Sequence, residues 1–272
     1  MQIVALSPVT PFEDLDGNVY NTPTTTYSNP YVDYQNGHYN SIIYRNIGNV
    51  FGQYNFNKNL FFRTEFGFDI QNQNDDEFYG FSTTFGSGTN GYGQSDWFRS
   101  LDYNVNNYFN FNKNFGKSDL EAVAGMSYQR YTSSQAQVYG EQFPVESLQK
   151  LASAAVITGG NSSETNSAIV SYFARANYKY NNKYLLTVST RVDGSSVFGS
   201  DNRYGFFPAV SAGWILSEEA FIKNIKSLSF LKLRASWGLT GNDNGFGDFA
   251  SLGLWGGATY DASGGLVSTQ LA

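Results

Sequence analysis

No cysteine occurs in the 272 residues, so a disulfide frame and a thiolate metal site are both excluded. The single histidine, His38, excludes any site that needs two. Charge is sparse: 15% of residues are Asp, Glu, Lys or Arg, and the net charge is −6. That balance lacks the basic footprint of a nucleic-acid-binding chain. No run of about 18 apolar residues is present, so no transmembrane helix is expected. Residues Met1 to Pro11 hold neither a basic n-region nor a long apolar stretch, so they do not read as a secretory signal.

What the chain has instead is aromatic residues, with 20 Tyr and 23 Phe, and long stretches of strict alternation. In residues 60–70, Leu60, Phe62, Thr64, Phe66, Phe68 and Ile70 oppose Arg63, Glu65, Gly67 and Asp69. In 101–111, Leu101, Tyr103, Val105, Phe109 and Phe111 oppose Asp102, Asn104, Asn106 and Asn110. In 120–128, Leu120, Ala122, Ala124 and Met126 oppose Glu121, Gly125 and Ser127. The same pattern recurs four times between Ser171 and Asn242. Tyr172, Ala174, Ala176, Tyr178 and Tyr180 oppose Arg175, Asn177 and Lys179. Tyr184, Leu186, Val188 and Val192 oppose Thr187, Arg191 and Asp193. Val210, Ala212, Trp214 and Leu216 oppose Ser211 and Gly213. Leu233, Ala235, Trp237 and Leu239 oppose Lys232, Arg234 and Ser236. A less regular strand covers 45–56, where Val50, Gly52, Tyr54 and Phe56 oppose Arg45, Asn49, Gln53 and Asn55.

Successive strand side chains point to opposite faces, so these assignments need only strand geometry. Nearly every charge falls on one face; Arg99 and Arg130 break the parity near strand ends. A mid-bilayer Arg or Lys on a lipid face costs about 2–4 kcal/mol, which explains the segregation if the other face meets lipid. The pattern therefore predicts an all-β fold: antiparallel, up-and-down, a transmembrane β-barrel segment of about eight strands. Short turns at 57–59, 112–118 and 181–183 alternate with long polar connections at 71–98, 132–167 and 194–205, as short periplasmic turns alternate with long outer loops. The connection 217–229 is an exception and is expected to hold a helical turn around Glu218–Ile222. A soluble β-sandwich also alternates, but its strands run about 5–6 residues and its connections lack this asymmetry.

The second half resembles the TonB-linked outer-membrane transporters of the SusC/RagA type. The resemblance rests on Ser171-Tyr172-Phe173-Ala174-Arg175, Lys183-Tyr184-Leu185-Leu186, Arg191-Val192-Asp193-Gly194-Ser195-Ser196 and Phe198-Gly199. It continues through Asn202-Arg203-Tyr204-Gly205, Phe206-Phe207-Pro208-Ala209-Val210-Ser211-Ala212-Gly213-Trp214, Glu219, Phe221, Leu231-Lys232-Leu233-Arg234-Ala235-Ser236-Trp237-Gly238 and Thr240-Gly241-Asn242. The first half matches only in style, through Ser7-Pro8, Asn29-Pro30 and the opening at Arg45 to Asn49. The resemblance implies import of glycan or peptide nutrients across the outer membrane of a Gram-negative cell. It implies a SusD-like surface lipoprotein and the TonB complex as partners, no cofactor, and no enzymatic step. Such barrels have about 22 strands and a plugged lumen, so the chain is expected to be an incomplete part. Residues 1–41 read as a loop-like lead-in, 42–241 as strands and 242–272 as a trailing loop. A passive porin or an adhesive surface barrel is the alternative. A carbohydrate-active enzyme is disfavoured because no motif nominates the required carboxylate pair.

The long connections carry the candidate substrate contacts: Phe78, Tyr79, Phe81, Phe85, Tyr92, Trp97 and Tyr139, whose rings offer flat apolar area with polar edges. Asp75, Asp76 and Glu77, and separately Asp14, Asp16 and Asn18, have the oxygen ligands of a calcium site, although solvated loop charge explains them as well. Ser147-Leu148-Gln149-Lys150 matches S-x-x-K without its companion motifs. The glycines of 245–250 imitate a dinucleotide fingerprint without a βαβ unit.

Overall fold

The computed structural model describes residues 13, 15–17, 30–222, 228–242, 245 and 247, and the backbone of 257–261 and 266–270. Met1 to Pro11, Asp14, Asn18, Asn29 and most of 245–250, on which expectations fell, lie outside the described residues. A short helix, α1 (Pro30–Asn36), leads into β1 (Gly37–Asn57), β2 (Leu60–Tyr79), β3 (Tyr92–Asn114), β4 (Ser118–Glu141), β5 (Val156–Tyr180), β6 (Tyr184–Ser195), β7 (Tyr204–Ile215) and β8 (Lys232–Gly238). These eight form one sheet in sequence order, a meander in which β1 and β8 are the unpaired edges. A separate hairpin pairs β9 (Gly257–Asp261) with β10 (Leu266–Gln270).

The register confirms the facing read from parity. Tyr180, Tyr184, Trp214 and Leu233 form one rung across β5–β8, and Ala176, Val188, Val210 and Trp237 form another. The polar rungs alternate with them: Lys179, Leu185, Gly213 and Arg234, then Asn177, Thr187, Ser211 and Ser236. Arg234 and Trp237 are thus on opposite faces.

The apolar face is not a core. Among the described residues the buried apolar side chains are Val32, Phe78, Phe143 and Val197 alone, while Trp237 is 60% exposed and Leu233 55%. A sandwich would bury that face against a second sheet. A contiguous exposed apolar surface needs another apolar partner.

Two features lie beyond the parity argument. The strands are far longer than expected, since β2 to β5 run 20–25 residues. The connections expected at 71–98 and 132–167 shrink to 80–91 and 142–155, and 30–41 holds α1 and the start of β1 rather than loop. The hairpin β9–β10 occupies part of the expected trailing loop. The reason is visible in Gln71-Asn72-Gln73-Asn74-Asp75-Asp76-Glu77, which is polar at every position: both faces of this stretch meet water, so alternation disappears while the strand continues. The helical turn expected near Glu218 is a single 3₁₀ turn, Leu216–Glu218.

Local chemistry sets the turns. Asn181 and Asn182 take φ of 51° and 55°, a left-handed pair that Asn tolerates better than most residues. Gly205 and Gly241 lie under the Phe207 ring, where a Cβ would stand 2.5 and 2.4 Å from it. Any larger residue at either position would have to displace that ring.

The chain divides into two compact units. The first comprises residues 1–46, 69–101 and 132–165; the second comprises 47–68, 102–131 and 166–272.

Candidate functional site

In the second unit the strands β4 to β8 line a hollow of about 960 Å³. Arg175, Lys179, Lys232 and Arg234 face it together with Asp119 and Glu121. Lys179 Nζ lies 2.8 Å from Asp119 Oδ2, and the Asn177 amide donates to Glu121 Oε2 at 3.3 Å. Further along this face Arg191 Nε sits 2.5 Å from Asp193 Oδ1, and Arg191 also donates to Ser171 Oγ at 2.8 Å. Arg191 and Asp193 therefore hold each other and a buried hydroxyl, which is a structural pairing. Across β1 and β2, the Arg63 guanidinium lies 3.8 Å over the Phe51 ring and 2.6 Å from Glu65. The arrangement is a polar wall of dispersed charge. It brings together no nucleophile and base.

Glu219 follows the 3₁₀ turn after β7. Its carboxylate accepts from Lys183 Nζ at 2.9 Å, Tyr184 Oη at 2.8 Å and Trp214 Nε1 at 3.1 Å. These three donors, Lys183 first, hold its carboxyl down to about 2 from the ordinary 4.5. A depressed folded value means stability that is present above about 4.5 and lost as pH falls through about 2. With Trp97, Trp237, Trp255 and any tryptophan elsewhere in the complete barrel replaced by Phe, the Trp214 emission of the folded barrel should hold from pH 7 to 4.5 and change below. A midpoint above pH 5 would contradict the clasp.

In the first unit the predicted aromatic residues separate by face. Tyr79, Tyr92 and Tyr139, on β2, β3 and β4, form a ladder with ring centroids 6.3 and 6.5 Å apart. Phe85 tilts onto Tyr79 at 4.9 Å and is exposed. Tyr79 shares the parity of Asp69, Asp75 and Glu77, and Tyr92 that of Asp96 and Asp102. Phe78 lies on the opposite face, 1% exposed and edge-on to Phe143 at 4.9 Å, so it is a packing residue and offers no surface to a ligand. Phe81 packs beside Gly91, its N–H donating to Glu146 Oε1 at 2.6 Å. Trp97 is exposed, with a parity opposite to Tyr92.

Each ladder hydroxyl donates two residues along its own strand: Tyr79 to Glu77 at 2.6 Å, Tyr92 to Gln94 at 3.0 Å and Tyr139 to Gln137 at 3.0 Å. Gln94 and Gln73 donate on to Asp96 and Asp75, each at 2.7 Å. Burial first, then Glu77, pushes the Tyr79 phenol up to about 12. Burial also raises Tyr92, helped by Tyr139, Glu77, Asp96 and Glu141. Sequence reasoning missed this relay, although the i, i+2 spacing of Tyr with Glu or Gln was a signal for it.

The acidic run does not converge on an ion. Asp75 and Glu77 share one face while Asp76 points to the other, where it bonds Lys150 at 2.6 Å and Ser95 at 3.1 Å. Lys150 holds the Asp76 carboxyl below its usual range. No group of three potential metal ligands occurs among the described residues. The same ion pair engages the lysine of the S-x-x-K match.

A family model described as TonB dependent receptor-like, beta-barrel matches residues 6–269. The TonB-dependent receptor P39 of Formosa agariphila is 35% identical over 217 residues, which is 78% of this chain and 21% of its own length. The TonB-dependent receptor SusC of Bacteroides thetaiotaomicron is 37% identical over 156 residues, 57% of this chain and 15% of its own length. The chain thus spans about a fifth or less of the curated relatives it matches. A structure of the RagAB peptide transporter superposes with a TM-score of 0.81 at 23% identity, over 95% of this chain and 29% of that one. At that identity the likeness is one of fold.

Proposed function

The chain belongs to the TonB dependent receptor-like β-barrel family, and on that premise we propose that it forms part of the wall of an energy-coupled outer-membrane importer of peptide or glycan nutrients. One observation carries the reading: the exposed apolar face of β5–β8 bears no charge between two aromatic levels. Tyr172 and Tyr180 share that face eight residues apart, about 26 Å at the strand rise. The apolar band of an outer-membrane barrel is about 25 Å tall. A crossing uses only about 9–11 residues, so the remaining length of β2–β5 continues past the bilayer on the side of the connections 80–91 and 142–155. Those connections contact the substrate and a SusD-like lipoprotein, because recognition concentrates in loops held by a rigid scaffold. TonB acts through other parts of the assembled transporter.

Uptake and lipoprotein binding in the complete transporter test this. Shortening 80–91 or 142–155 should lower both by about tenfold or more, while altering 181–183 should leave both unchanged. A protonophore should abolish uptake; a passive pore would keep it. Loss on altering 181–183 with none from the two connections would reverse the inside–outside assignment.

A further inference from the structure

The two units differ sharply in charge. The first holds three Lys or Arg (Arg45, Arg99, Lys150) against twelve Asp or Glu, while the second is mildly basic. The first cations are already committed or turned away. Arg45 pairs with Asp69 at 2.5 Å, and Lys150 pairs with Asp76 on the face opposite the tyrosine ladder. Arg99 has the parity opposite to Tyr92 and Asp96. Residues 1–44 contain no Lys or Arg at all. The ladder face therefore presents Asp75, Glu77, Asp96 and Glu141 around Tyr79, Tyr92 and Tyr139 with no cation among them.

The hydrogen-bond inventory points the same way. The phenolic donors are spent on Glu77, Gln94 and Gln137. Asp75 Oδ1 and Asp96 Oδ1 on this face are buried acceptors without a partner, so neither carboxylate has its charge offset. A surface of stacked rings and carboxylates, with no cation beside them among the described residues, is complementary to a cationic group. Guanidinium and ammonium groups are attracted to Tyr faces within about 6 Å and form short, strong bonds to carboxylates. An extended peptide puts alternate side chains about 6.6 Å apart on one face. That is the spacing of ring and acid along β2 from Tyr79 to Glu77 to Asp75.

We propose that the Tyr79–Tyr92–Tyr139 ladder, with Asp75, Glu77 and Asp96, is a subsite for basic peptide segments. This rests on the importer reading and narrows its substrate class.

The test uses the complete transporter and two fluorescent nine-residue peptides that differ only in three Lys replaced by Ser. The Lys peptide should bind about tenfold more tightly at 0.1 M salt, a factor of ten being about 1.4 kcal/mol, and the preference should shrink at 0.5 M as screening rises. The isosteric variant Asp75→Asn/Glu77→Gln/Asp96→Asn should bind both peptides alike. Glu164→Gln, which removes one carboxylate outside the ladder, should keep the preference. Equal binding of the two peptides by the native protein overturns the subsite without reference to any variant. So does tighter binding of a neutral oligosaccharide, or a preference that vanishes with EDTA. If neutral solutes are imported in a TonB-dependent manner with no charge preference, only the subsite fails; if no solute is imported, the importer reading fails with it.

Discussion

Ala235→Arg should cut the yield of folded barrel in the outer membrane, and Ser236→Arg, one residue away, should leave it nearly intact. Ala235 lies in the apolar rung with Ala212, Leu186 and Tyr178; Ser236 lies in the polar rung with Ser211, Thr187 and Asn177. An arginine at mid-bilayer on the lipid face costs about 2–4 kcal/mol, a factor of roughly 30 to 900 in the folding equilibrium. The Ser236 variant adds a cation to a hollow already lined by Arg234, Lys232 and Arg175, where water screens it and the cost is small. Equal yields for the two variants would mean that the two faces see the same solvent.

Phe143→Ala should release the connection 142–155. The Phe143 ring is fully buried and meets Phe78 edge-on, while its backbone N–H donates to Asn90 O at 3.0 Å and its carbonyl accepts from Asn90 Nδ2 at 3.1 Å. Removing a buried phenylalanine ring costs about 3–5 kcal/mol. If opening is fast relative to cleavage, proteolysis of the connection should accelerate by roughly two to four orders of magnitude. Phe85→Ala, at an exposed ring, is the control and should change cleavage little. An unchanged cleavage rate in Phe143→Ala would show that the aromatic pair does not hold this segment.

The part of the fold legible in the sequence was the part with two different solvents. From Leu60 to Asp69 and from Tyr172 to Trp237 one face carries the charges, so parity alone placed Arg234 opposite Trp237. Past Ile70 the strand β2 has polar residues on both faces, and the periodicity that marks a strand is gone, although the strand runs on to Tyr79. The candidate aromatics come from this region, and proximity in sequence hid their sorting. Tyr79 joins the ladder while its neighbour Phe78 is buried on the other side. The cross-strand partners Arg45–Asp69, Asp76–Lys150 and Glu146 with the Phe81 N–H depend on register and loop path, which no local pattern encodes. The clasp on Glu219 was unreadable for the same reason: its three donors come from residues 183, 184 and 214.

The central claim is that one face of the meander meets lipid and the other water. The absence of native cysteine in these 272 residues allows single cysteines to be placed at consecutive positions 232 to 237 in the complete barrel, with any cysteine elsewhere in that barrel replaced. Nitroxide labels on them, read for collision with oxygen dissolved in the bilayer and with a water-soluble nickel chelate, report the solvent at each residue. Strict alternation is expected: positions 233, 235 and 237 accessible to oxygen, and 232, 234 and 236 accessible to the chelate. Accessibility that does not alternate, or that alternates in the opposite phase, would contradict it.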